Sequence, residues 1–379
     1  MFWILFLLMT TSMVTMIHSD NINSTATFTQ ITDKLISKLK AHMLAMQQSK
    51  SRGYDNYGYS GYLDGYYGDV AGKSDYSWIV PLIIVIGFGN DDKRPKFGTR
   101  FLDKESDIFT HNAWDNVVWD EDFRKDIVEK VESNSLVKVP NEKALEFETN
   151  AFKYWDDFYE KHENKFFKDR HWILTEFPEL TPNETSKTIL ELGCGVGNTV
   201  FPLLEIDNHR SLFIYCCDFS EKAVKLVREN PLYDENRCNA FVQDITSDWK
   251  SSPLMPESLD IITMIFVLSA IDPQHHSQVI LNLVPYLKPD GIILFRDYGH
   301  YDMAQIRFNK GRCIKDRFYV RGDGTRAYFF EENEVDLLFT ETKIFTRINL
   351  HVDRRLQVNR ANKKKMYRVW IQGVFRKKV

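Results

Sequence analysis

The chain has 379 residues, a formal net charge of −4, 43% hydrophobic residues and 27% charged residues. That length suits one large domain or two modest ones, and that apolar content belongs to a globular protein. The acidic balance excludes a uniformly basic nucleic-acid binder, so any surface for a polyanion has to be built locally.

Residues 1–92 form an atypical N-terminal region. Residues 1–17 are strongly apolar (FWILFLL near the start) and look like a secretory hydrophobic segment, without a basic flank or a clear cleavage site. They are also short for a membrane span of about 20 residues. A signal or anchor, a targeting segment and a mis-assigned gene start compete, and the last is favoured. Residues 51–77 are a Gly/Tyr tract, read as a flexible linker in preference to an RNA contact. Residues 79–88 are a second apolar run with no assigned role.

Residues 93–187 are polar, aromatic and helix-rich. Helices are expected at 120–133 and 141–162, where Leu145, Phe152, Trp155, Phe158 and Tyr159 recur at helical spacing. Residues 188–298 then alternate between strands (188–192, 212–217, 239–243, 259–266, 291–296) and helices (199–205, 220–229, 274–287). Alternation of this kind implies right-handed crossovers and a parallel, doubly wound sheet, with ligands beyond the carboxyl ends of the strands. The C-terminal part reads as a basic loop region followed by a strand at 366–375, expected to complete the sheet as an antiparallel hairpin strand. Cys194, Cys216, Cys217, Cys238 and Cys313 make no C-x-x-C pair, and two lie in a core-like strand. They are read as reduced thiols of an intracellular protein without a zinc site.

The most informative run is ELGCGVGN at 191–198, after a strand and before a helix. Glycines at alternate positions let the backbone turn tightly and approach a ligand. A dinucleotide loop needs G-x-G-x-x-G, and neither Asn198 nor Val200 supplies the third glycine. Glu-x-Gly-x-Gly-x-Gly with an acid at the next strand end is instead the pattern of S-adenosylmethionine (SAM) methyltransferases. Asp218 is that acid, suited to accept both ribose hydroxyls, so Gly193, Gly195 and Asp218 are candidate cofactor residues. Asp244 after the third strand suits the adenine amino group, with Ile245 beside the ring; the plainer reading is a turn or helix cap. The IFVLSA run at 265–270 is apolar where enzymes acting on exocyclic amines of adenine carry Asp/Asn-Pro-Pro-Tyr/Phe. The acceptor is therefore not expected to be an amine held that way.

Three basic segments surround this site. The first, FFKDRHW at 166–172, holds Lys168, Arg170 and His171 among aromatics. The second holds Arg307, Arg321 and Arg326, and the third holds Arg354 and Arg355. Singly, each is ordinary solvated surface. Together, in an acidic chain, they favour a polyanion through local phosphate contacts and base stacking. Asp297 and Tyr298 close the fifth strand and are expected to face the reacting centre, although Asp297 also suits a buried ion pair.

Several long strings recur together: KYWDDFY at 153–159, NKFFKDRHWILTEF at 164–177, LGCGVGN at 192–198, YCCDFS at 215–220, IFVLSA at 265–270, FRDYG at 295–299 and YVRGDGT at 319–325. In these the chain resembles the tRNA 3-methylcytidine methyltransferase family, over roughly residues 94–375. NAWDN at 112–116 and DRRLQVNR at 353–360 resemble the branch acting on threonine and some arginine tRNAs. The resemblance implies a Rossmann-like class I SAM-dependent methyltransferase fold, with a seven-stranded, mostly parallel sheet. It implies a helical extension at 93–187 that serves tRNA binding and covers the cofactor, ahead of a methyltransferase domain at 188–379. Cofactor contacts then fall on Trp155, Tyr159, Gly193, Asp218, Asp244, Ile245 and Ile265, and the reaction is methylation of cytidine N3 at position 32. It implies tRNA as partner, an accessory recognition protein, no metal, a monomer and a cytoplasmic setting. The competing readings are a SAM enzyme acting on a protein or small molecule, and an inactive binding module with the same fold.

Overall fold

The computed structural model describes residues 100–378, so the expectations for residues 1–92 concern a part of the chain outside that range. A two-residue strand, β1 (Ala113–Trp114), comes first. Helix α1 (Glu121–Ser135) is started by Asp120, whose carboxylate accepts the Phe123 N–H, with Glu121 and Asp122 in its first turn. The helix expected over 141–162 is two helices, α2 (Asn141–Thr149) and α3 (Ala151–His162). They part at Asn150, whose backbone (φ −101°, ψ 17°) leaves the helical region and whose side-chain amide donates to the Glu146 carbonyl. A short helix, α4 (Ile173–Glu176), then leads into the sheet.

The alternating stretch contains β2 (Lys187–Leu192), α5 (Val200–Ile206), β3 (Leu212–Asp218), α6 (Glu221–Arg228), β4 (Cys238–Val242), β5 (Leu259–Ile265), α7 (His276–Leu283) and β6 (Leu287–Tyr298). A short helix, α8 (Met303–Ile306), precedes a three-stranded sheet of β7 (Cys313–Lys315), β8 (Phe318–Val320) and β9 (Arg326–Tyr328). Helix α9 (Glu332–Thr340) and a long hairpin of β10 (Phe345–Asn359) and β11 (Lys364–Lys377) finish the chain.

The main sheet has the order β1-β10-β11-β6-β5-β2-β3-β4. The five strands from β6 to β4 pair in parallel, as the alternation implies, and β11 lies antiparallel on β6. Two expectations are corrected. The sheet has eight strands, because β1 pairs Ala113 and Trp114 with Gln357 and Leu356 of β10. The region read as a basic loop holds α8, the three-stranded sheet, α9 and β10, and one face of β10 buries Asp353, Arg355 and Gln357 in place of apolar side chains. Charges that point inward and pair there hide the period-two signal of a strand.

The two faces of the sheet are separate apolar layers. One packs Val200, Leu203, Val224 and Val227 of α5 and α6 against Ile189, Ile214 and Ile261. The other packs Val279, Leu283, Val335 and Phe339 of α7 and α9 against Leu190, Ile262 and Phe295. The carboxyl ends of the parallel strands converge on one edge, beneath α3 and the three-stranded sheet.

Candidate active site

The chain leaves β2 through a loop whose backbone only glycine adopts easily. Gly193 has φ +57°, and a Cβ there would collide with Val267 Cγ2. Gly195 has φ +55°, and its Cβ would lie 2.7 Å from the Tyr159 hydroxyl. The loop is tied to the end of β3, where Asp218 accepts the Gly195 N–H at 2.9 Å and the Ser220 N–H at 3.0 Å. Asp218 is 6% exposed, and burial pushes its carboxyl up to about 6 against those hydrogen bonds.

Beneath the loop, Glu191 meets Arg170 at 3.2 Å, and Arg170 also donates to Thr199 Oγ1 at 2.8 Å. Burial pushes Glu191 up to about 7 even with that arginine beside it. The second carboxylate oxygen of Glu191 is buried with no hydrogen-bond partner. Above the loop, Trp155 and Tyr159 on α3 stack with ring centroids 5.9 Å apart. Asp244 closes a turn by accepting both the N–H and the hydroxyl of Thr246, and Ile245 packs into the core beside it.

The glycine loop, Asp218, Arg170, Trp155, Tyr159, Asp244 and Ile245 line a cavity of about 830 Å³. Its lining is also aromatic and cationic, with Phe266, Tyr298, Phe308, Trp370, Arg321 and Arg368. Such a volume lies toward the upper end of the range for ligand pockets, roughly 300–1,000 Å³. Among the described residues, no group of three or more His, Cys, Asp or Glu is placed to hold a metal ion.

Most candidate residues meet here: Trp155, Tyr159, Gly193, Gly195, Asp218, Asp244, Ile245 and Tyr298 all line the cavity. Two do not. Asp297 and Ile265 are fully buried behind its wall, because successive strand residues point to opposite faces and Tyr298 and Phe266 take the open side. Asp297 accepts the Ser269 and Tyr298 N–H groups and so holds the wall in place. Burial, outweighing those bonds, pushes its carboxyl up to about 6.

The candidate RNA residues divide similarly. Lys168, Arg307 and Arg321 are on the cavity wall. Arg170, Arg326 and Arg355 line it too and pair with carboxylates: Arg170 with Glu191, Arg326 with Glu148, and Arg355 with Asp353 and Glu176. His171 sits apart, on a small cleft with Leu174 and Pro202, and Arg354 is exposed on the outer face of β10. Phe266, Trp370 and Arg368 escaped the sequence reading. Phe266 has φ +58°, a property of the folded backbone that residue types do not display. Trp370 and Arg368 lie on one face of a strand whose partner could not be named in advance.

A parallel sheet in this order, a glycine cradle and an acid on the neighbouring strand define a class I SAM-dependent methyltransferase. A methyltransferase domain family model matches residues 190–293. The tRNA N(3)-cytidine methyltransferase METTL2 of Xenopus tropicalis is 48% identical over 318 residues, covering 74% of this chain and 94% of that protein. The tRNA N(3)-methylcytidine methyltransferase Mettl2 of Drosophila melanogaster is 49% identical over 286 residues, covering 74% of this chain and 88% of its own length. The chain belongs to the tRNA N(3)-cytidine methyltransferase family, as the seven recurring strings imply.

Proposed function

We propose that this protein transfers a methyl group from SAM to N3 of a cytidine in tRNA, at position 32 of the anticodon loop, with threonine tRNA and some arginine tRNAs as its substrates. The observation that carries the reading is a single cavity that joins a glycine cradle to an aromatic and arginine-walled chamber. Bound SAM supplies an electrophilic methyl on a cationic sulfur. Gly193, Gly195, Asp218, Asp244 and Ile245 hold the cofactor, and Trp155 and Tyr159 exclude water above it. Neutral cytosine carries a lone pair at N3, so no base has to remove a proton first, and alignment supplies the catalysis. The Watson–Crick edge must be exposed, so the base enters unpaired. Tyr298 flanks the acceptor, and Asp297 acts as a positioning residue through the Tyr298 and Ser269 amides. Lys168, Arg307 and Arg321 take phosphates or bases at the rim. The chain works as a monomer with an accessory tRNA-recognition protein; that part rests on the family resemblance. A cytoplasmic setting is supported by five free thiols buried in the fold and by the need for SAM.

Purified protein with labelled SAM and individual tRNA transcripts is expected to place label on cytidine 32, and the incorporation falls as salt rises. Label on another nucleoside, on protein only, or on no substrate even when cell lysate is added as a source of the accessory protein, would end this reading.

The acid in the cradle makes a second expectation. Ribose hydroxyls donate to Asp218 as a carboxylate, so cofactor affinity rises with pH through about 6. Calorimetry is expected to give a Kd about tenfold weaker at pH 5 than at pH 7, a dependence that Asp218→Asn abolishes. An affinity unchanged across that interval contradicts the assignment.

A further inference from the structure

Phe266 directly follows β5 with φ +58°, a region where a bulky residue is strained. Its N–H still donates to the Arg296 carbonyl at 2.8 Å, one residue beyond the regular β5–β6 ladder. The ring gains no full burial in return. It stands half-buried on the cavity wall, 5.1 Å from the Tyr298 ring and 6.3 Å from the Trp370 ring. Guanidinium groups of Arg321 and Arg368 lie 5.9 Å and 6.0 Å from the Tyr298 ring centre. Both are held: Arg321 donates to the Arg326 carbonyl at 2.8 Å, and Arg368 donates to Asp302 at 2.9 Å. The next residue along, Val267, is the one whose methyl would meet a Cβ on Gly193. One strained turn therefore sets both the height of the Phe266 ring and the wall of the cofactor cradle. The ring packs on one side against the α5–α6 apolar layer and leaves the rest open to the cavity, and strain kept at a cavity points to a functional cause.

The geometry points to Phe266, with Tyr298 and Trp370, as the platform on which the methyl-accepting cytosine stacks beside the cradle, with Phe266 as the residue that sets the position of the base. This rests on the tRNA reading above and names the group that seats the substrate. Aromatic faces suit a nucleobase because stacking needs no hydrogen-bond partner and leaves N3 open to the methyl donor.

The test uses the full chain with S-adenosylhomocysteine and an anticodon stem-loop bearing the fluorescent analogue pyrrolocytosine at position 32. Phe266→Gly removes the ring and relieves the left-handed strain, while Phe266→Leu keeps apolar bulk without a flat face. Wild type is expected to quench the analogue. Both variants are expected to lose the quench and to lower kcat/KM for tRNA by about tenfold or more. SAM affinity stays within about twofold and Tm holds, which separates seating of the base from upkeep of the fold. Absence of quenching by wild type overturns the inference. So does retained quenching in Phe266→Gly, or a loss of SAM affinity that matches the loss of turnover. Wild type that quenches yet leaves cytidine 32 unmethylated refutes the proposed reaction and leaves the platform standing. Wild type that methylates alongside two equally active variants refutes the platform alone.

Discussion

Gly195→Val abolishes cofactor binding, with a Kd for SAM at least about a hundredfold weaker, equivalent to about 2.7 kcal/mol. Two costs combine. A side chain in the left-handed region costs roughly 1–2 kcal/mol, and a β-branched one tolerates it poorly. The Cβ would also stand 2.7 Å from the Tyr159 hydroxyl, and Tyr159 cannot step aside, because it is 5% exposed and packed against Phe158 and Val196. The substitution pushes the cradle and its aromatic cover apart where the ligand needs both. Gly322→Ala is the matched control: it also lines the cavity, a Cβ there meets nothing within 4 Å, and its affinity is expected to stay at the wild-type value. Calorimetry on both proteins decides the matter, and Gly195→Val binding within about threefold of wild type would show that the cradle is not the cofactor site.

Asp353→Asn is expected to destabilise the fold by about 3–5 kcal/mol without touching either ligand. Asp353 lies 2.6 Å from Arg296 and 2.8 Å from Arg355, whose side chains are 2% and 3% exposed. Glu176 meets Arg355 at 2.6 Å and Arg296 at 3.4 Å, and Asp115 joins Arg355 to Arg100. Three guanidinium groups face three carboxylates across β6, β10, α4 and the stretch around β1. Removing one negative charge leaves a buried cation uncompensated, which costs far more than an exposed pair contributes. Burial alone would raise the Asp353 carboxyl, yet Arg296 and Arg355 hold it below its ordinary value. The unfolded chain therefore binds this proton more readily than the native one. The contribution is complete above about pH 4 and fades as the solution is acidified through the lowered native value. Thermal unfolding at pH 7 is expected to show a Tm lower by on the order of 10 °C, with the gap between wild type and variant closing below pH 4. A Tm within about 2 °C of wild type at pH 7 refutes the network as a determinant of stability.

That network marks the limit of reading charge from a sequence. Arg355 lies in a run of basic residues and is a natural candidate for a phosphate contact. Its partners are Asp353, two residues back on the same face of β10, and Glu176, 179 positions away. Arg170 is similar, facing Glu191 through a separation of 21 residues. The i, i+2 acid beside Arg355 is a local hint only once the strand is known, and the partners that complete each cluster, Glu176 and Glu191, lie in other segments.

Residue types and their spacing were enough to specify the parallel core, the glycine cradle and Asp218, because each follows from short-range physics. Apolar periodicity encodes strand or helix, positive φ demands glycine, and an acid at a strand end stays there in any register. The pairing of inward charges on β10, the withdrawal of Asp297 and Ile265 behind the wall, and the turn that lifts Phe266 into the cavity all required the assembled molecule. They arise from contacts between distant segments, and the energy of such a contact belongs to the pair and is written in neither segment alone.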